Sequence, residues 1–502
     1  MIKILPAGKI READTFTITN EPIASVDLME RAAGLCYDWI VKKKPFGKSI
    51  KLFCGTGNNG GDGLVIARLL TKAGYNCEVF LVKFSEKCSD DFLINLQRLQ
   101  ESGPSPIQDV LSGDELPVIE PDELVIDAMF GTGLSKPVNT FPENLIGHIN
   151  KSGAVVIAID ISSGMFANQL PDSRNGAIIQ ADYTLTFQFP KLSFFFAESE
   201  QYTGIWEVLP IGLHPDFIQS TDTDHFLVEA GDIAALLKPR KRFSHKGNFG
   251  HALLVAGSYG KMGAAILAAK ACMRTGAGLL TAHIPAKGYN ILQTAFPEAM
   301  VSIDEEQEYF SGVKDLQPYN AIAIGPGIGT AEQTKTGLKL LIQDCRAPLI
   351  LDADALNILG ENKTWLSFLP PGSILTPHPK EFERIASKSN NSLDRLELQQ
   401  QFSAKYNVFV ILKGAFTSIT TPDGTCYFNP TGNPGMASGG SGDVLTGILL
   451  GLLAQGYSPL TTCMAGAFLH GFAGDLAAAK RGYEALIASD IIDNLGKAFL
   501  KL

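Results

Sequence analysis

At 502 residues the chain exceeds one ordinary domain, and 45% hydrophobic with 19% charged residues describes globular material for two or three cores. A formal net charge of −10 excludes a broad basic face for nucleic acid or anionic membrane; the basic runs Lys42 to Lys44 and Lys238 to Arg242 are short and read as solvated faces. The eight cysteines form no CxxC pair, MIKILPAGKIREAD carries charge where a signal peptide needs an apolar run, and the apolar stretch Ile448 to Leu453 is far short of a membrane span, so a cytoplasmic protein without nucleic-acid or membrane partners is expected.

In chain order, Ser25 can cap a helix through Lys43, with Val26, Met29, Ala33, Cys36 and Ile40 at helical spacing. Strands follow at 50–54, 77–82, 124–128, 154–159 and 183–187, separated by helical patterns, which predicts right-handed βαβ units and a Rossmann-like, mainly parallel sheet. After the first strand comes GTGNNGGDG, Gly55 to Gly63, which formally contains G-x-G-x-x-G. The dinucleotide fingerprint also needs an acidic residue closing the second strand, but Glu78 opens that strand and Val82, Lys83 and Phe84 close it, so a dehydrogenase is disfavoured.

The loop instead carries Asn58, Asn59 and Asp62, and two further strand ends carry Asp127, then Asp160 with Ser163. Parallel strands present their carboxyl ends to one crevice, and oxygen donors without His or Cys suit a hard cation. Strand-end Asp residues also serve as turn caps, a reading that three coincident sites weaken.

The polar stretch from His214 to Gly231 lacks periodicity and marks the boundary: domains 1–215 and 231–502, with 216–230 a linker. The second half restarts with strands at 252–256, 279–283, 321–324, 349–351, 373–375 and 408–414, most ending in Gly, Asp or Pro, and predicts a second doubly wound α/β layer with an Asp-Gly hairpin after it. It culminates in GNPGMASGGSGD, Gly432 to Asp443, five glycines in twelve residues before a helix expected to start at Asp443. Glycines let backbone N–H groups turn inward, and a helix N-terminus adds partial positive charge, so the stretch can cradle polyphosphate. Asp443 either caps its helix or, repelled by phosphate and so ill placed for binding alone, acts as a base on an attacking hydroxyl.

SVDLMERAAG, NNGGDG, DAMFGTGLSKP and AIDISSG, in that order, resemble the NAD(P)H-hydrate epimerase family. HKGNFGHALLVAGS, GAAILAAKA, GPGIG, TPHPKEFERI, LKGAFT and NPGMASGGSGD resemble the ADP/ATP-dependent NAD(P)H-hydrate dehydratases, a branch of the ribokinase-like fold. The two resemblances cover nearly the whole chain and imply an α/β protein of two domains, Rossmann-like then ribokinase-like, fused as a bifunctional repair enzyme of the prokaryotic type.

The resemblance places epimerase substrate contacts on Asn58, Asn59, Gly60, Gly61 and Asp62, on Gly131, Thr132, Gly133, Leu134, Ser135, Lys136 and Pro137, and on Asp160, the last a proton shuttle or cation stabiliser. Its K⁺ ligands fall on Asn59, Asp127 and Ser163. In the dehydratase half, substrate contacts fall on Ala264, Gly327, His378 and Asp443, and nucleotide contacts on Lys413, Gly414, Ala415, Phe416 and Thr417 and on Gly439, Gly440, Ser441 and Gly442. Asp443 is then the catalytic residue, ADP the co-substrate, Mg²⁺ its companion, NADHX and NADPHX the substrates, and a homo-oligomer the expected assembly. On the residues alone, Lys413 could be an ordinary exposed lysine and His378, between two prolines, could simply order a turn.

Two rivals use the same residues. A ribokinase-like kinase acting on a hydroxymethylpyrimidine would need the same glycine loop and Asp443, but not the fused first half. A nucleotide-sensing scaffold would have degenerate sites, whereas both glycine loops, Asp127, Asp160, Lys413 and Asp443 are intact.

Overall fold

Strand-forming runs here are apolar on both faces, and such strands need cover on both sides. The computed structural model, which describes residues 1–43, 49–84, 87–103, 105–172 and 176–502, provides that cover twice. Lys44, counted above in a basic run, lies outside the described residues. The chain divides into two compact units, Ile2–Thr223 and Asp224–Leu502 with Met1. The expected linker 216–230 is not structureless: helix Pro215–Ser220 reaches into it, and a short strand, His225–Leu227, lies within it. Its polar composition hid both, because neither is long enough to show a period.

In the first unit, helices α1 (Ala7–Asn20) and α2 (Ser25–Lys43) precede strand β1 (Ile50–Cys54), helix α3 (Asn58–Lys72), β2 (Cys77–Val82), helix α4 (Asp90–Glu101), β3 (Ile107–Val110), β4 (Leu124–Ala128), helix α5 (Phe141–Lys151), β5 (Val155–Ile159), β6 (Tyr183–Phe187) and β7 (Ile205–Leu209). The seven strands pair in parallel in the order β3-β2-β1-β4-β5-β6-β7. Alternation of side chains sends Leu52 and Cys54 into the core under α2 and α3 and Phe53 into the opposite core with Leu145 and Ile149 of α5. Strand order reverses between β1 and β4, which opens a crevice at their carboxyl ends.

In the second unit the strands are β8 (His225–Leu227), β9 (His251–Val255), β10 (Leu279–Ile284), β11 (Met300–Ile303), β12 (Ala321–Ile324), β13 (Leu349–Leu351), β14 (Ile374–Leu375), β15 (Phe409–Leu412), β16 (Thr417–Thr420) and β17 (Cys426–Asn429). They run β8-β17-β16-β15-β14-β13-β12-β9-β10-β11, parallel except where β16 pairs antiparallel with β15 and β17. This sheet reverses between β9 and β12. One face is covered by α6 (Met262–Thr275) and α7 (Ser441–Ala454), packed with α8 (Pro459–Arg481) and α9 (Ala488–Leu500). Close approach of α7 to α6 depends on Gly447, whose position a Cβ would bring within 2.1 Å of the Ala268 carbonyl. All eight cysteines are free thiols, seven buried and Cys88 half-buried.

Candidate active sites

The crevice of the first unit is a cleft of about 1180 Å³. Its floor is the N-terminus of α3, which starts at Asn58 with Gly57 at the cap and no side-chain cap hydrogen bond, leaving backbone N–H groups and partial positive charge facing the opening. Asn58, Asn59, Asp62, Gly131, Thr132, Gly133, Leu134, Ser135, Lys136, Pro137 and Asp160 all lie on its wall. Gly60 and Gly61 are buried in the first turn behind it: a Cβ on Gly60 would sit 1.7 Å from the Gly55 carbonyl oxygen, so glycine there lets the helix start against the strand end.

Asp160 is held in a left-handed conformation, φ +67, at the end of β5. Its Oδ1 accepts from Lys191 Nζ at 2.7 Å, from the Phe187 amide at 3.3 Å and from Thr186 at 3.4 Å. Lys191, fully buried, also donates to the Phe189 carbonyl at 3.1 Å. Lys191 and Asp14 of α1, both absent from the sequence reading, add charge around Asp160. Burial, reinforced by Asp160 and opposed by Lys191, pushes the Asp14 carboxyl up to about 7. Burial, with Asp160 and Asp14, raises the Asp62 carboxyl well above the usual range. Asp14 escaped notice because α1 has only Ile10, Ala13 and Thr17 as its buried stripe, too weak a period to mark a helix.

Beside the cleft lies a buried oxygen cluster. Asp127 Oδ1 accepts from Ser163 Oγ at 2.6 Å and Oδ2 from the Ser163 amide at 2.8 Å, while Ser163 Oγ accepts from the Phe130 amide at 2.9 Å. Burial lifts the Asp127 carboxyl to about 6, against the lowering effect of these Ser163 bonds. Asn59 packs against Gly131, and both its side-chain Oδ1 and Nδ2 are buried without a hydrogen-bond partner among the described residues. An orphaned buried amide oxygen costs roughly 1–3 kcal/mol unless something unseen satisfies it. A desolvated monovalent cation is one such partner.

In the second unit the predicted residues also meet at strand ends. Gly327, after β12, sits against α6, where a Cβ on it would lie 3.2 Å from Ala264 Cβ and 3.0 Å from the Lys261 carbonyl. The Gly327 carbonyl accepts from Ser258 Oγ at 2.7 Å. Asp352, after β13, accepts from Lys413 Nζ at 3.0 Å and from Thr446 of α7 at 2.7 Å. The Lys413 amide donates to the Pro377 carbonyl at 3.0 Å, next to His378. His378 caps the short helix Pro379–Ile385: its Nδ1 accepts from the Lys380 and Glu381 amides at 3.1 and 3.3 Å, while its side chain stays 45% exposed. It orders a turn and still offers its ring edge to solvent. Gly414 and Ala415 are exposed, with Phe416 and Thr417 half-buried at the start of β16.

Helix α7 begins at Ser441, two residues earlier than the sequence suggested, and its cap is Gly440 at φ +91 with no side-chain cap bond. Asp443 is therefore not the cap. It lies in the first turn, where burial and Asp352 push its carboxyl up to about 6 against the pull of Lys413. Gly442 lies close enough to Lys413 that a Cβ would be 3.4 Å from Nζ, so the glycine cradle, the lysine and the carboxylate share one corner. His470 Nε2 donates to the Ser441 carbonyl at 2.9 Å, and burial pushes its imidazole down to about 4. Asp352, Thr446 and His470 were missed; the Asp of DADALN was read only as a strand end.

Fold and sites together define the class: a two-domain α/β protein with polar residues gathered at the carboxyl ends of the parallel strands in each sheet. The family model described as NAD(P)H-hydrate dehydratase matches residues 252–497, and that described as YjeF-related protein N-terminus matches 25–193. A bifunctional NAD(P)H-hydrate repair enzyme from Moorella thermoacetica is 35% identical over 98% of this chain and 96% of its own, and one from Coxiella burnetii is 34% identical over 97% of each. The crystal structure of an ADP/ATP-dependent NAD(P)H-hydrate dehydratase from Bacillus subtilis, 32% identical, covers 54% of this chain and 97% of its own with a TM-score of 0.48. The chain belongs to the family of bifunctional NAD(P)H-hydrate repair enzymes.

Proposed function

We propose that the first unit interconverts the R and S epimers of NADHX and NADPHX, and that the second dehydrates the S form to NADH or NADPH, consuming ADP and releasing AMP and phosphate. The observation that carries the reading is Asp443: a half-buried carboxylate in the first turn of a glycine-capped helix, beside Lys413, with a pKa near that of a working base. Hydroxide is a poor leaving group. Asp443 takes the proton of the C6 hydroxyl as its oxygen bonds to the terminal phosphorus of ADP and AMP departs. The C6–O bond then breaks with the pair leaving on phosphate, the ring nitrogen feeds its lone pair to C6, and loss of a proton from C5 restores the dihydronicotinamide. Lys413 and the amides of Gly439 to Gly442 hold the phosphates, Gly414 to Thr417 line the nucleotide, and Ala264, Gly327 and His378 border the substrate.

Mg²⁺ supplies charge neutralisation on the phosphates when bound. Asp352 and Asp443 are the carboxylates that would border it. In the first unit K⁺ would rest on Asn59, Asp127 and Ser163, where the orphaned Asn59 oxygen awaits a partner, and would fix the loops that carry the substrate contacts. There the α3 N-terminus receives the pyrophosphate, and Asp160, fixed by Lys191, stabilises positive charge developing at the ring nitrogen.

The test is incubation of mixed R and S hydrates with ADP or ATP, following dihydronicotinamide absorbance and nucleotide products by chromatography. The expected result is AMP plus phosphate in step with absorbance. Accumulation of a stable phosphorylated organic product would instead identify a kinase. Asp443→Asn keeps shape and removes the base, so it should lower turnover about 10²–10⁴-fold while nucleotide still binds; undiminished turnover would refute the assignment.

A further inference from the structure

We propose that Asp14 is a second catalytic carboxyl of the N-terminal cleft, donating the proton on which the C6 hydroxyl leaves as water and taking one back from the water that returns to the opposite ring face. This rests on the epimerase reading of that cleft. Arg11, Asp14, Thr15 and Ile18 of α1, at helical spacing i, i+3, i+4 and i+7, line the opening, while Ala13 and Thr17 anchor the helix on its buried side. Asp14 thus faces the same space as Asp160 from a different element.

The two carboxyls differ in surroundings. Asp160 is locked to Lys191 at 2.7 Å and to backbone, so its side chain is fixed in position. The Asp14 carboxyl has no hydrogen-bond partner among the described residues, faces Asp62 and Asp160, and has its only same-helix cation in the cleft at Arg11. Lys87, Asp91 and Lys136 also front the cleft. Burial and Asp160 hold it up to about 7, against the pull of Lys191, so both of its protonation states are available near neutrality. The two carboxyls therefore take different parts, Asp14 as the unbonded group free to carry a proton and Asp160 as the group held in place by Lys191.

The step balances without a co-reactant. The C6–O bond breaks with its electron pair on oxygen, Asp14 supplies the proton that makes the leaving group water, and the ring nitrogen lone pair becomes the C6=N bond. On return, the water oxygen bonds to C6 from the other face, the π pair goes back to nitrogen, and the extra proton passes to the Asp14 carboxylate. Asp160 offsets the charge of the cation between the two halves.

The experiment uses the full-length protein and separated R and S hydrates in H₂¹⁸O. Asp14→Asn should slow R-to-S conversion and ¹⁸O entry at C6 at least about 100-fold, with KM little changed. S-dehydration with ADP should be unaltered, which reports that the protein is folded. The parent should lose epimerase activity as pH rises through about 7, since the protonated carboxyl is needed, and Asp14→Glu should recover part of the rate with a displaced limb. An Asn variant that epimerises and exchanges oxygen as fast as the parent, or keeps the same alkaline limb, overturns the proposal alone. A parent that neither converts R to S nor exchanges oxygen above the uncatalysed rate overturns the epimerase reading with it.

Discussion

A single carboxylate illustrates how activity and stability oppose each other at the residue scale. Asp443 has its pKa raised in the folded protein from the ordinary 3.8 to about 6, so folding favours its protonated form. The sign follows: its contribution is most favourable below the unfolded pKa and is lost as pH climbs through the folded one. At pH 7 the charged group opposes folding by on the order of 3 kcal/mol. Asp443→Asn should therefore raise the urea midpoint at pH 7 even as it slows dehydration, and the gain should vanish near pH 4. In the parent, dehydratase kcat/KM should fall as pH drops through about 6, because the base must be unprotonated; a flat profile from pH 5 to 8 would contradict the role. Lys191→Met removes the partner of a buried carboxylate beside Asp14 and Asp62 and should cost about 3 kcal/mol in chemical denaturation. Neither Lys191 nor Asp14 was legible in the sequence. The first follows an ordinary FQFP run and the second sits on a helix with a faint period; what marks them is proximity to Asp160, which only folding creates.

At the scale of elements, strands 50–54, 77–82, 124–128, 183–187, 321–324 and 349–351 appear where the sequence placed them, because strands largely buried on both faces are rich in aliphatic, aromatic and β-branched residues. Strands β3, β7, β8 and β11 were not foreseen: each is short, and none is buried along its whole length as the central strands are. Glycine spacing marked both loops but not their geometry, since which glycine is sterically required depends on a neighbour distant in sequence. Gly440 pairs φ +91 with a Cβ position 2.6 Å from Leu267 Cδ1, so Gly440→Val should deform the cradle and weaken ADP binding in calorimetry more than it lowers stability. Asp304 is a purely structural counterpart. It accepts from His283 at 3.0 Å and from the Ser311 amide at 2.8 Å; despite its burial these bonds, His283 foremost, hold its carboxyl well below the usual range. Its stabilisation is present above the unfolded carboxylate pKa and lost only in strong acid. Asp304→Asn should accordingly destabilise at pH 7 by about 1–3 kcal/mol in urea without altering the AMP-to-NADH ratio.

For the molecule as a whole, each unit carries its own sheet, cores and switch-point site, and that separation predicts separable defects. Asp160→Ala should stop consumption of R hydrate and leave S-dehydration intact, as read by product analysis of each epimer. Replacing K⁺ with Li⁺ should slow only epimerisation, since Asn59, Asp127 and Ser163 belong wholly to the first unit; equal slowing of both activities, or of neither, would remove the cation assignment. No described helix is long and apolar enough to cross a membrane. Where seven thiols are sealed in the two interiors, Cys88 alone is partly open, and it stands on the rim of the first cleft. A maleimide probe should consequently label the native protein at one position, and slower labelling in the presence of a dinucleotide would make that thiol a reporter of occupancy needing no engineered tag.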